Sequence, residues 1–186
     1  MKLLVFIGPS GSGKTTLIRE LDSREVISVT PSWTTRPRRA DEIEGSIDHR
    51  FVSREQFTRL RDDGFFLEVV EMFGHDYGLP RIGQPRSGAK PAISIRASHL
   101  GLVSKHYPDH LVYQIESSRE NARARIATRN EPRADADMRI KSYSEEIDLG
   151  RKTSTREFDT SGSLKRVLAE VERAISEDFP AERTLR

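Results

Sequence analysis

Two stretches of this chain carry residue types that hold phosphate. The first, GPSGSGKT, runs from Gly8 to Thr15 and fits the spacing G-x-x-x-x-G-K-[ST]. Glycines let a backbone bend until several N–H groups face one anion. The N-terminus of a following helix adds partial positive charge. Lys14 then reaches the β- and γ-phosphates of a nucleoside triphosphate, and the Thr15 hydroxyl is the candidate ligand for Mg2+. The candidate nucleotide-holding set is Gly8, Ser10, Gly11, Ser12, Gly13, Lys14, Thr15 and Thr16. The second stretch, SWTTRPRR, places Arg36, Arg38 and Arg39 close together on a proline-stiffened segment. Guanidinium forks bind phosphate oxygens with two hydrogen bonds each. A donor-phosphate site and a second anion site together predict an ATP- and Mg2+-dependent kinase.

The elements around these stretches are those such a site needs. Lys2–Ile7 is a continuous apolar run, suited to a buried parallel strand. Residues Lys14–Asp22 read as a helix with Leu17, Ile18 and Leu21 on one side. Further strands are predicted at Val26–Val29, Phe65–Val70, Ala92–Ile95 and His110–Ile115. Helices are predicted at Ser53–Arg61, Ser118–Arg129, Met138–Ile147 and from about Ser163 onward. Strands alternating with helices predict an α/β fold with a parallel sheet. The proline- and glycine-rich stretch Leu79–Pro91 reads as a loop.

Composition narrows the partners. The 186 residues suit one domain, and 32% of them are charged. Lys and Arg number 31 against 29 Asp and Glu, a net charge of only +2, so nucleic acid is not an expected partner. The chain has no cysteine, which excludes disulfides, zinc–thiolate sites and cysteine nucleophiles. No apolar run approaches the roughly 18 residues of a membrane span. The apolar start leads straight into the glycine-rich motif and reads as a core strand, not a leader. A cytoplasmic protein, monomer or homodimer, is the expectation.

After SWTTRPRR come EG, HRF, FFLE and HDYG. Together with GPSGSGKTTL, this order resembles the guanylate kinase family from Met1 to about Ile115, and more loosely beyond. The resemblance implies a P-loop fold with a small acceptor-binding subdomain at 32–89. It implies a core formed by 1–31 and 90–186, with a helical lid at about 129–150. It implies transfer of a phosphoryl group from ATP to a nucleoside monophosphate, GMP or dGMP, giving the diphosphate. On the matching positions, Ser32, Arg36, Arg39 and Tyr77 hold the acceptor phosphate and Glu68 reads the guanine edge. Arg125 flanks adenine, and Arg129 and Arg139 join Lys14 in stabilising the transferring group. The segment Asp159–Leu164 falls where the family contacts adenine.

The chain also departs from the family's pattern. His49 stands where the family has a tyrosine, and Leu79 where it has a serine or threonine facing the guanine carbonyl. Ser94 and Arg96, in AISIR, replace two aspartates, one near the metal and one reading guanine. Mg2+ keeps several waters, so Thr15 and the phosphates are expected to suffice without a carboxylate. Arg96 can donate to guanine O6 and N7 while Glu68 accepts from N1–H. Alternatively, Glu68 and Arg96 pair with each other and close the base pocket. That would favour a baseless acceptor such as ribose 1,5-bisphosphate, the substrate of a related phosphokinase. A non-catalytic binding module of similar fold is a third possibility, opposed by the presence of both Lys14 and Thr15. Trp33 reads as packing, and Arg38, Arg119, Arg123, Arg133, Arg151 and Arg156 as solvated charges.

Overall fold

A computed structural model describes residues 1–38, 42, 47–128 and 133–180. The first half of the chain runs β1 (Leu3–Ile7), α1 (Lys14–Ser23), β2 (Ile27–Val29), β3 (Ser32–Thr34), β4 (His49–Phe51), α2 (Arg54–Asp62), β5 (Phe66–Met72) and β6 (His75–Pro80). The second half runs β7 (Lys90–Ser94), α3 (Leu100–His106), β8 (His110–Glu116), α4 (Arg119–Ala127), α5 (Arg133–Lys141), α6 (Tyr143–Arg151), β9 (Arg156–Asp159) and α7 (Leu164–Asp178).

Five strands form a parallel sheet in the order β2-β7-β1-β8-β9. In its centre Val5 pairs with Ile93 on one side and Val112 on the other. All five β1 side chains are fully buried, because helices cover both faces of the sheet. Strand alternation sorts them. Leu4 and Phe6 pack with Leu17 and Leu21 of α1 and Val167 and Val171 of α7. Leu3, Val5 and Ile7 pack with Leu100 and Val103 of α3. The central strand therefore ends in a rigid platform, and the phosphate loop leaves from its C-terminal end.

A second, four-stranded sheet has the order β4-β3-β6-β5. Its β5–β6 hairpin turns at Phe73 and Gly74, both at positive φ. Phe57 of α2 stacks on Phe66 at 4.7 Å, and Trp33 meets Phe65 edge-on at 5.1 Å, the packing role expected of it.

The sequence reading placed the long elements and missed short ones. Strands β3, β4, β6 and β9 and helix α3 were not foreseen. The three- and four-residue strands β3, β4 and β9 are too short to display a period of two, β6 (HDYGLP) carries a glycine and a proline that read as loop, and α3 is a seven-residue helix. The helix expected over Met138–Ile147 is two helices, α5 and α6, which meet at Ser142. The loop expected at Leu79–Pro91 is shorter. Leu79 and Pro80 belong to β6, Lys90 and Pro91 to β7, and 81–89 carry neither helix nor strand. Among the described residues, no helix is long and apolar enough to cross a membrane.

Candidate active site

The phosphate loop joins β1 to α1, and two glycines fix its path. Gly8 has φ +149°, and a Cβ there would run into the Ile115 carbonyl oxygen. Gly11 has φ +80°, and its Cβ would lie 2.7 Å from the Ala122 carbonyl oxygen. The loop thus sits against β8 and α4 more closely than any side chain permits. Lys14 Nζ donates to Ser94 Oγ at the end of β7, 2.8 Å away. Thr15 Oγ1 donates to Asp48 Oδ2 at 2.7 Å.

Arginines from beyond β8 reach the same loop. Arg125 of α4 donates to the Gly11 carbonyl and to the Thr160 carbonyl, each at 3.1 Å, so it braces the loop against the segment after β9. Arg139 of α5 is buried, and its Nη1 donates to Ser10 Oγ at 3.0 Å. The structure thus brings Arg125 and Arg139 to the phosphate loop. Arg129 lies outside the described residues. Of the arginines read as solvated, Arg151 pairs with Glu116 and Arg156 with Asp178, each at 2.7 Å.

In the same cavity as Lys14 stand Ser32, Arg36, His49 and Tyr77, carried by β3, β4, β6 and the segment after β3. Arg36 is 6% exposed, and its guanidinium grips Glu42 with Nη1 and Nη2, at 3.0 and 2.7 Å. It also lies over the Phe51 ring at 5.0 Å, and it interacts with Tyr77. Ser32 Oγ shares a hydrogen bond of 2.7 Å with His49 Nδ1. The His49 ring stands 6.0 Å from the Tyr77 ring. Burial pushes the His49 pKa down to about 4; Arg36 and Lys14 add to the effect, and Asp48 opposes it. The imidazole is therefore neutral at pH 7, as the tyrosine it replaces would be. Arg39 lies outside the described residues.

The far end of the cavity is walled by apolar side chains, among them Val70, Leu79, Ile95, Leu102 and Val103. Glu68 sits at its edge and accepts hydrogen bonds from Lys105 Nζ at 2.8 Å and His106 Nε2 at 2.7 Å. Those bonds, Lys105's first, hold its carboxyl below the ordinary range. Arg96 points elsewhere. Its Nε donates to Glu146 Oε1 at 3.1 Å and its Nη2 to Ser142 Oγ at 3.3 Å. The other Glu146 oxygen accepts from the Ala97 backbone N–H at 3.0 Å. The expected alternative, a Glu68–Arg96 pair closing the pocket, is therefore corrected. Each residue has its own partner, because α3 supplies Lys105 and His106 to Glu68 and α6 supplies a carboxylate to Arg96.

Several residues at the site were given no role in the sequence reading. Asp48 stands next to His49, and the Asp–His pair in IDHRF was its one signal. Lys105, His106 and Glu146 carry no local signal, since their partners are distant in sequence and lie on other elements, and Glu42, six residues from Arg36, was not read as its partner. Phe73, at the hairpin tip, lies between two cations. The Arg96 guanidinium carbon is 5.3 Å from its ring centroid, and that of Arg139 is 4.8 Å away. Phe73 thus joins the second sheet to the P-loop side through Arg139 and Ser10.

One cavity of about 570 Å³ runs from Gly8–Thr16 past Arg139 and Tyr77 to Glu68 and Leu79. A parallel sheet with a phosphate loop after its central strand, and a second sheet across the cavity, defines a P-loop α/β protein. The guanylate kinase family model matches residues 1–160. A guanylate kinase of Nostoc sp. is 35% identical over 152 residues, covering 78% of this chain and 76% of that protein. One of Symbiobacterium thermophilum is 37% identical over 132 residues, covering 68% and 62%. One of Agrobacterium fabrum is 48% identical over 80 residues, covering 42% of this chain and only 36% of that enzyme. The crystal structure of guanylate kinase from Anaplasma phagocytophilum shares the fold, with a TM-score of 0.69 at 22% identity, over 96% of this chain and 85% of that one. The chain belongs to the guanylate kinase family.

Proposed function

We propose that this chain transfers the γ-phosphoryl group of ATP to GMP or dGMP, giving the nucleoside diphosphate and ADP. The observation that carries the reading is one cavity lined by the phosphate loop with Lys14, by Arg139, and by Ser32, Arg36, His49 and Tyr77. In this reading 1–31 and 90–186 form the core, 32–89 hold the acceptor, and α5 and α6 serve as the lid.

Each end has its task. The loop backbone and Lys14 hold the β- and γ-phosphates of ATP. Ser32, Arg36, His49 and Tyr77 hold the acceptor phosphate, with Arg36 exchanging part of its Glu42 contact for phosphate oxygens. Lys14 and Arg139 then face the charge that spreads over the transferring group, the dominant source of acceleration in phosphoryl transfer. Thr15 Oγ1 and the Asp48 carboxylate, 2.7 Å apart, are oxygen donors of the kind Mg2+ takes. Bound Mg2+ would neutralise charge on the β- and γ-oxygens, with Thr15 as its protein ligand.

Base recognition falls to Glu68, whose ionised carboxylate accepts from guanine N1–H and the exocyclic amine. Arg96 reads guanine in this scheme only by loosening its Glu146 pair. An acceptor panel of GMP, dGMP, AMP, UMP and ribose 1,5-bisphosphate, scored by ADP release with Mg·ATP, tests the proposal. GMP and dGMP should give the highest kcat/KM. A higher value for any of the others would overturn the guanine assignment.

A further inference from the structure

We propose that Asp48 is the metal-positioning carboxylate of this protein, delivered to the phosphate loop from the acceptor side and not from the central sheet. The inference rests on the Mg·ATP reading above. A hydroxyl that ligates a metal offers the cation a lone pair, so its O–H must point to an acceptor elsewhere. Thr15 Oγ1 already points its proton at Asp48 Oδ2, 2.7 Å away. In P-loop proteins the loop hydroxyl shares the metal with an aspartate on a strand. Here the neighbouring strand β7 ends in Ser94, and that hydroxyl receives Lys14. The strand KPAIS and the Ile95–Arg96 that follow it contain no carboxylate.

Asp48 is built into its place. It is 5% exposed, and a buried carboxylate is costly unless it is paired. Its carbonyl accepts from the Ser32 N–H at 3.1 Å and from Ser32 Oγ at 3.2 Å. The next residue, His49, opens β4 opposite Ser32. Lys14 lies near enough to act on its charge. The serine–aspartate exchange at the end of β7 is therefore matched by a carboxylate arriving from the opposite wall. A consequence follows from its address. Asp48 lies between Ser32 and His49, the residues assigned to the acceptor phosphate, so acceptor and metal binding should be coupled.

The test measures metal affinity directly, by electron paramagnetic resonance of Mn2+ titrated into the full chain with the non-hydrolysable analogue AMP-PNP. Asp48→Asn should weaken Mn2+ binding about 10–100-fold, the usual effect of losing a partner of a metal ligand. Its affinity for metal-free AMP-PNP should stay within about twofold of wild type. Unchanged Mn2+ affinity, or an equal loss of both, would overturn the proposal. If Asp48→Asn does not fold, the wild-type chain decides. GMP, its binding confirmed by calorimetry, should tighten Mn2+ in the AMP-PNP complex severalfold, and no tightening would refute the coupling. Failure of wild type to bind AMP-PNP would instead sink the kinase reading and this inference with it.

Discussion

At the phosphate end of the cavity, charged side chains are tied to polar partners: Lys14 to Ser94 and Arg139 to Ser10 across elements, and Arg36 to Glu42 six residues along the chain. At the base end the walls are aliphatic, and the charged groups, Glu68 and Arg96, turn to partners on α3 and α6. The contrast reflects what each end must recognise. A transferring phosphoryl group carries the same charge whatever base follows it, so the groups facing it cannot vary without loss of rate. A base is distinguished by a few hydrogen bonds, and those can be redistributed among neighbouring elements. The departures at Leu79 and Arg96 fall at the tolerant end. The Ser94 exchange falls at the strict end, where another carboxylate stands nearby.

The largest effect should come from Lys14→Ala. Its Nζ is a point charge aimed at the transferring group, and removing one such donor costs about 10²–10³-fold in kcat. The circular dichroism melt should hardly move, since the packing of α1 comes from Leu17, Ile18 and Leu21. A folded variant with normal turnover would remove the kinase reading.

Next is Arg36→Ala. Loss of a charge-assisted contact costs about 1.5–3 kcal/mol, so GMP should bind roughly ten- to a hundredfold more weakly while AMP-PNP binding is unchanged. Calorimetry with each ligand reads the difference. Equal weakening of both would move Arg36 out of the acceptor end. The variant should also melt earlier, because Glu42 is left without its bidentate partner in a half-dry site.

The same contrast explains what the sequence made legible. The phosphate loop is contiguous, and its glycines, lysine and threonine announce themselves by spacing alone. The central strand was equally plain, because burial on both faces turns LLVFI into an unbroken apolar run. The family pattern named Arg139 and Arg125, which the fold does bring to the loop. Partners were not legible. Nothing in the sequence ties Glu68 to Lys105 across 37 positions, or Arg96 to Glu146 across 50. The base pocket was judged by which family residues were missing, and only the fold reveals what replaced their contacts.

His49 supplies a test by pH. Folded, its imidazole has a pKa of about 4, whereas an exposed one titrates near 6.5. Between those values the unfolded chain binds more protons, so stability falls as pH drops through this window and levels off below it. From pH 7.5 to 5 the loss should be roughly 2 kcal/mol, read as a lower urea midpoint. The Asp48 carboxyl is held below its ordinary value, so its own contribution is lost only at lower pH. His49→Tyr should abolish the loss between pH 6.5 and 4 while keeping GMP binding. A persistent loss in that variant would assign the effect to another group.

The smallest effect is expected at the base end, from Leu79→Ser. In the β5–β6 ladder Leu79 stands directly opposite Glu68, so both side chains share a face of the sheet. A hydroxyl at this position would restore the donor that the family directs at the guanine carbonyl. One neutral hydrogen bond is worth about 0.5–1.5 kcal/mol net, so KM for GMP should fall about two- to tenfold. AMP, which lacks that carbonyl, should gain nothing, and kcat should stay level because the phosphate end is untouched. Some stability should be lost as well, since Leu79 packs against the cluster of Leu3, Val5 and Ile7. Parallel gains for GMP and AMP would mean that the serine merely enlarges the cavity. A lower kcat would mean that the two ends are not separable, and the contrast between them would have to be given up.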